Sequence, residues 1–282
     1  MPELHDAGHA VPRTWSGLLA LGRRLAAEGR TPWCLGLASG GGAGWPGTDW
    51  IEILILKGAG PDAFDRWTSH EIAFDDPAVR EAFTRFERIV FAEDHVYTGP
   101  EGALDTFHGL AQLPMVEADP PRCWLYQYPT FAVSFLPRGS VGTETDTFPF
   151  PAPTERFSEA VLGGGNMMGA FADRPEVREL VRFLLSPEYG EEWAGLGRYG
   201  SFLSPNRRFG LAHYQPWWRR QAELLIAALA SDTFRFDGSD LMPPRIAGLF
   251  NQAMQTFLAE RPESVDRILA QLEKAWTRLE AG

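Results

Sequence analysis

The stretch that most constrains this chain is Gly40–Glu52, which reads GGGAGWPGTDWIE. So much glycine with a proline cannot make a packed element, because glycine opens backbone angles closed to other residues and proline removes a donor. The spacing predicts a loop holding large flat rings. Thr48 then reads as the N-cap of a helix running to about Gly58, with Asp49 and Glu52 in its first turn, where acids suit the positive end of the dipole. Trp45 and Trp50 would flank that helix mouth beside a carboxylate. Indole faces stack on the C–H faces of a pyranose and carboxylates accept from its hydroxyls, so the cluster suits a sugar. Against this stands the plainer reading, in which both tryptophans are packing beneath a structural loop.

The length of 282 residues allows one large domain or two modest ones. A net charge of −11 with dispersed basic residues argues against nucleic acid. No apolar run of about eighteen residues is present, so no membrane-spanning helix is expected. The opening MPELHDAGHAVPRTW lacks the basic and apolar regions of a signal peptide. Cys34 and Cys123 are either a disulfide or two buried thiols, and the residues alone leave both open.

Alternation and capping predict an α/β chain. Thr14 opens a helix carrying Trp15, Leu18, Leu21 and Leu25, and Pro32–Ala38 reads as a strand feeding the glycine loop. A short helix starts at Pro61. Asp76 and Pro77 start another, with Val79, Phe83, Phe86 and Val90 inward. Gly102–Gln112 reads as a weaker helix. A strand ending in Glu117 is expected to turn at two prolines into a second strand with Trp124, Tyr126 and Tyr128 on one face and Cys123, Leu125 and Gln127 on the other. The Pro/Gly/Thr-rich run from Phe135 to Pro153 reads as a crossing between packed regions. Ala160–Ala172 reads as a strand in which Gly163, Gly164, Gly165 and Asn166 let a ligand approach closely. Helices follow at Pro175–Ser186, Pro187–Leu196, Trp217–Ala230, Pro244–Glu260 and from Val265 to the end. Tyr199–Asn206 reads as irregular and FRFDGSDLMPP as an acid-rich loop.

Nucleotide motifs are absent: GGGN lacks the Rossmann and P-loop spacings. The six histidines form no paired-ligand pattern and no Gly-x-Ser-x-Gly elbow occurs. Asp49, Glu52, Glu117, Asp237 and Asp240 include enough acids for a glycosidase pair, which keeps a carbohydrate-active hydrolase as the second reading. No catalytic residue, metal or cofactor is assigned.

The motifs AVPRTW, PWCLG, GWPGTDWIE, AGPD to DRW, PPRCWLYQ, FLP, FPFPAP, VLGGGN, PEV with LLSPEYG, SPN and FDGSDLMP, taken in order, resemble the carbohydrate-binding proteins of ABC importers. The resemblance is to the α-glucoside type within extracellular solute-binding family 1, which includes maltose-binding protein. It implies a periplasmic-binding-protein-like (type II) clamshell, with one lobe largely complete and the first lobe mostly missing. Residues 12–150 and 207–282 would form the C-terminal lobe, 158–206 a remnant of the N-terminal lobe with exposed apolar side chains and free sheet edges, and 1–11 a residual linker. It implies a ligand set of Trp45, Asp49, Trp50, Glu117, Trp124, Gln127, Gly164, Gly165, Asn166 and Asp240. An acid is common in the family where Asn166 stands, so a neutral hydrogen bond would replace a charge-assisted one there. The PWC and PP-x-C motifs imply a Cys34–Cys123 disulfide. The implied partners are a small-molecule carbohydrate and the transmembrane subunits of an ABC permease, with no nucleic acid, for a monomer located in the periplasm or on the cell surface as a lipoprotein. Family members carry an export signal and most of a lobe ahead of AVPRTW, so the chain reads as N-terminally truncated, or as a fragment without function.

Overall fold

The structure, a computed structural model, describes residues 8–195 and 202–282. Most of the expected 1–11 linker, the last residue of the Pro187–Leu196 helix and the start of the Tyr199–Asn206 segment lie outside the described residues. Helix α1 (Trp15–Ala27) starts where Thr14 accepts the amide hydrogen of Gly17 and buries Leu18, Leu21 and Leu25. Helix α2 (Trp45–Ala59) is the axis of the main core. Its residues from Pro46 to Lys57 are all buried, and it packs on α3 (Pro61–Thr68), α4 (Pro77–Val90) and α10 (Pro244–Glu260). Helix α4 is capped by Asp76, which accepts from the amide of Ala78, with Pro77 in the first turn where a missing N–H costs nothing. Helix α11 (Val265–Glu280) lies on α10 and closes that side with Ile268, Leu269, Leu272 and Trp276.

Helix α2 begins three residues before the expected Thr48. Gly44 takes φ of 107° and hydrogen-bonds to the carbonyl of Leu37, turning the chain sharply into the helix. A Cβ on Gly44 would meet the Asn251 carbonyl oxygen at 2.0 Å, so the turn demands glycine. Thr48 instead donates back to the carbonyl of Trp45 at 2.9 Å. Asp49 and Glu52 therefore lie beyond the first turn, away from the positive end of the helix where they were expected.

Of the expected strands only part of Ala160–Ala172 is regular: β1 (Val161–Gly163) runs parallel to β2 (Phe234–Phe236), which opens the stretch expected as an acid-rich loop. Pro32–Ala38 is extended and joined by isolated bridges, Trp33 to both Val96 and Leu125 and Ala38 to Phe107. The Cys34–Cys123 disulfide pins this segment to the one bearing Leu125, across a sequence separation of 89. The strand expected to end at Glu117 is a 3-10 turn, Leu113–Met115, followed by bends. The helix expected over Gly102–Gln112 is α5, Gly99–Asp105, because the chain beyond it is drawn onto the extended segment: Ala38 donates to the Thr106 carbonyl and His108 to that of Ala38.

A second, smaller core joins Ala194 of α7 (Glu191–Gly195) to Phe209, Tyr214, and Trp218 and Ala222 of α8 (Pro216–Ala230), with Val133 and the partly buried Phe202. It straddles the boundary expected at residues 206 and 207. Met167, Met168, Phe171, Leu180 and Phe183 on or before α6 (Pro175–Leu184), and Leu185 and Trp193 after it, are exposed, Phe171 fully.

Candidate functional site

Trp45, the first residue of α2, stands half-buried with its Nε1 donating to Ser39 Oγ at 3.1 Å. His108 meets its ring edge-on at 5.0 Å between centroids, with Tyr128 at 5.3 Å and Phe131 at 6.0 Å. Tyr126 and Tyr128 stack at 4.9 Å and an interplanar angle of 16°. Tyr126 donates to the His108 carbonyl at 2.7 Å, and the Tyr128 hydroxyl is hydrogen-bonded to His108 Nδ1. Burial pushes the His108 imidazole below its ordinary value. Both tyrosines are pushed well up, by burial first and then by nearby negative charge that includes Asp49, so their hydroxyls keep their protons.

That field marks what lies beside the wall. Asp49, one turn along α2 from Trp45, is 5% exposed, and its Oδ1 is buried with no hydrogen-bond partner. Burial, then the charges of Asp237 and Asp240, hold its carboxyl well above the carboxylate range. Glu52 is buried on the same helix; its carboxylate accepts the amides of Gly238 at 2.6 Å and Ser239 at 3.1 Å. Those bonds lower its pKa, but burial and the charges of Asp237 and Asp49 outweigh them. Asp237 caps α9 (Gly238–Leu241), accepting from the Asp240 amide, while its own amide donates to the carbonyl of Gly163 at the end of β1. One oxygen from each of Asp49, Glu52 and Asp237 lies within 4.8 Å of the other two. Asp240 is exposed at the edge of this group, its carboxyl raised by burial and by Asp237.

The glycine run ends here too. A Cβ on Gly163 would meet the Phe234 ring at 2.7 Å, so packing demands that glycine. One on Gly164 would reach Asp237 Cβ only at 4.0 Å and one on Gly165 would meet nothing, so packing does not explain those two. Trp45, Asp49, Asp240 and Gly164 are thus brought to one place.

Trp50 is not. At 1% exposure it is ringed by Trp33, Phe86 and Phe150, which leaves no face for a ligand. Trp124, 8% exposed, belongs to the same core with the Arg30 guanidinium over its ring at 4.8 Å. The segment holding it is not a regular strand, so alternation does not carry Trp124 to the side of Tyr126 and Tyr128. Glu117 is exposed among bends near Arg122, which bonds Tyr97. Gln127 is half-buried with Oε1 unpartnered, and Gly165 and Asn166 are exposed. The expected ligand set lacked His108, Tyr126, Tyr128 and Asp237. Aspartate before Gly-Ser is a capping signal that locates Asp237; nothing local in the sequence points to His108.

Rings thus stand beside buried acids where the start of α2 meets the end of β1. The structure superposes on a chitin oligosaccharide binding protein with a TM-score of 0.76 at 18% identity, covering 99% of this chain and 68% of that one. Residues 2–191 match the bacterial extracellular solute-binding protein family, and this chain belongs to it. It is 37% identical over 273 residues to the osmoprotective compounds-binding protein GgtB of Synechocystis sp., covering 96% of this chain and 63% of that protein. It is also 37% identical over 283 residues to the alpha-glucosides-binding periplasmic protein AglE of Rhizobium meliloti, covering 98% and 60%. The chain therefore spans less than two thirds of the length of these relatives. Among the described residues no helix is long and apolar enough to cross a membrane.

Proposed function

We propose that this chain is the sugar-binding part of an extracytoplasmic receptor for an ABC-type importer, taking an α-glucoside or a related oligosaccharide. The observation that carries the reading is the half-buried Trp45, set in a wall of His108, Tyr128 and Phe131 next to the uncompensated acids Asp49, Asp237 and Asp240. In this reading Trp45 stacks on the apolar face of a pyranose and Asp240 and Asp237 accept its hydroxyls, with Asp49 behind them. Gln127 supplies its free carbonyl oxygen, and Gly164, Gly165 and Asn166 approach from the β1 side. The name of AglE supports the α-glucoside assignment; that of GgtB widens the class to small osmoprotectants.

The receptor acts outside the cytoplasm, in the periplasm or as a surface lipoprotein, and hands its ligand as a monomer to the permease. In this reading a second lobe of the receptor covers the exposed apolar side chains around α6. Closure is driven by the ligand's differential affinity for the closed state. No chemistry on the sugar is proposed.

Thermal unfolding of the oxidised protein against a panel of α-glucosides, β-glucosides and monosaccharides tests this. Binding to the folded state alone adds about 2.7 kcal/mol at a hundredfold excess over Kd, so one sugar class should raise the midpoint without product appearing. A transition that no sugar moves, or release of cleaved sugar, overturns the reading.

A further inference from the structure

We propose that Asp49, Glu52 and Asp237 form a site for a hard divalent cation of the calcium class, at the floor of the group beneath the aromatic wall. This goes beyond the sugar reading and does not depend on it.

The geometry is that of one coordination sphere. Two oxygens bound to one calcium ion at 2.3–2.6 Å lie no more than about 5 Å apart, and one oxygen from each of the three carboxylates lies within 4.8 Å of the others. The second observation is Asp49 itself. Its Oδ1 is buried without a partner, in a residue 95% removed from solvent, and a buried acceptor left unmet is costly. An ion held by its neighbours would meet it.

Charge points the same way. Among the described residues no basic side chain pairs with Asp49, Glu52, Asp237 or Asp240, although most ion pairs elsewhere are made at the surface. Four acids thus converge with no cation from the protein. Glu52 is oriented by two amides and Asp237 by the Asp240 amide and the Ser239 hydroxyl at 2.9 Å, the outer-shell support that fixes metal ligands in place. The donors are all oxygen, with no nitrogen or sulfur among them, which selects against zinc and copper. The competing arrangement is a proton shared between Asp49 and Asp237, as between any two carboxylates held close.

Terbium titration separates the two. Terbium(III) replaces calcium on oxygen ligands and emits when excited through a neighbouring aromatic ring, here Trp45 or Tyr128. The expected result, in sugar-free buffer, is sensitised emission that calcium displaces and a calcium-dependent rise in the unfolding midpoint, half-complete at roughly 0.1–1 mM, where extracellular calcium modules bind. Asp49→Asn should weaken both by roughly tenfold or more. Asp237→Asn, which keeps an equally good cap, does the same if Asp49→Asn fails to fold. No sensitised emission and no calcium shift, or emission unchanged in both variants, overturns the site in favour of the shared proton. The sugar panel run in a chelator fails or succeeds separately from this.

Discussion

Lys57 Nζ donates to the carbonyl oxygen of Ser158 at 2.6 Å, tying the last turn of α2 to the chain just before β1 across 101 residues. Burial lowers the ammonium to about 8, against the opposing charge of Glu159. The unfolded chain therefore holds more protons than the folded one between about pH 8 and the ordinary lysine value of 10.5, and stability rises with pH across that window. The rise is on the order of 3 kcal/mol. Urea midpoints measured from pH 7.5 to 10.5 should climb in the native protein and lie flat in Lys57→Met; a flat native profile sinks the assignment.

Glu273 gives a dependence at the acid end. Burial alone would raise its carboxyl, but the amide of Phe74 at 2.9 Å and the bonds and charge of His70 and Thr277 bring it below the ordinary 4.5. A depressed carboxylate stabilises fully above its unfolded value and loses that contribution as pH falls through the folded one. Glu273→Gln should lower the unfolding midpoint at pH 7 and shrink the loss between pH 5 and 3. Calorimetric scans at those pH values check it, and equal acid sensitivity in both proteins counts against it.

The two tryptophans of the glycine loop should separate cleanly. Trp50→Ala opens a cavity among Trp33, Phe86 and Phe150 and should cost about 3–5 kcal/mol of stability. Trp45→Ala removes a ring from the surface wall and should weaken sugar binding roughly tenfold or more while costing far less stability. Paired denaturation and calorimetric binding measurements decide; a Trp45 variant with native affinity would remove that ring from the site.

Reducing the Cys34–Cys123 bond frees an 89-residue separation in the unfolded chain. Chain entropy puts the loss at about 4–5 kcal/mol. Unfolding with and without reductant, and the Cys34→Ser/Cys123→Ser double variant, should agree on a drop of that order. Indifference to reductant would show that the bridge carries no stability.

The helices were the legible part of this chain, because their signals are local. Thr14, Asp76 with Pro77, and the apolar spacing from Pro244 to Glu260 each announce an end or a face. The strands were not. Pro32–Ala38 finds its partners at Val96, Phe107 and Leu125, and which extended segments meet depends on the whole path of the chain. For the same reason Trp45 and Trp50 look alike in sequence: α2 is buried on every side after Pro46, so no polar face distinguishes a ring at the rim from one in the core. Glu52 reaches Gly238 across 186 residues, which no motif spacing encodes, and that contact helps bring the site's acids together. The family's motifs group Trp50, Trp124 and Glu117 with Trp45 and Asp49, whereas the fold sets them apart, since a motif records neighbours in sequence and not the direction a side chain takes.

Helix α2 is both the axis of the core and the bearer of Asp49 and Glu52, and this limits how the molecule can change over generations. A substitution at Asp49 or Glu52 disturbs a helix with no exposed side between Pro46 and Lys57 to absorb it, so most such variants would be lost before any new property was selected. Residues around it, Tyr126 to Phe131 and Asp240 to Leu241 at the end of α9, are half-buried or exposed and can be exchanged with far less penalty. New ligand preferences in this lineage should therefore be written in the loops, while the acids beneath them are inherited almost unaltered.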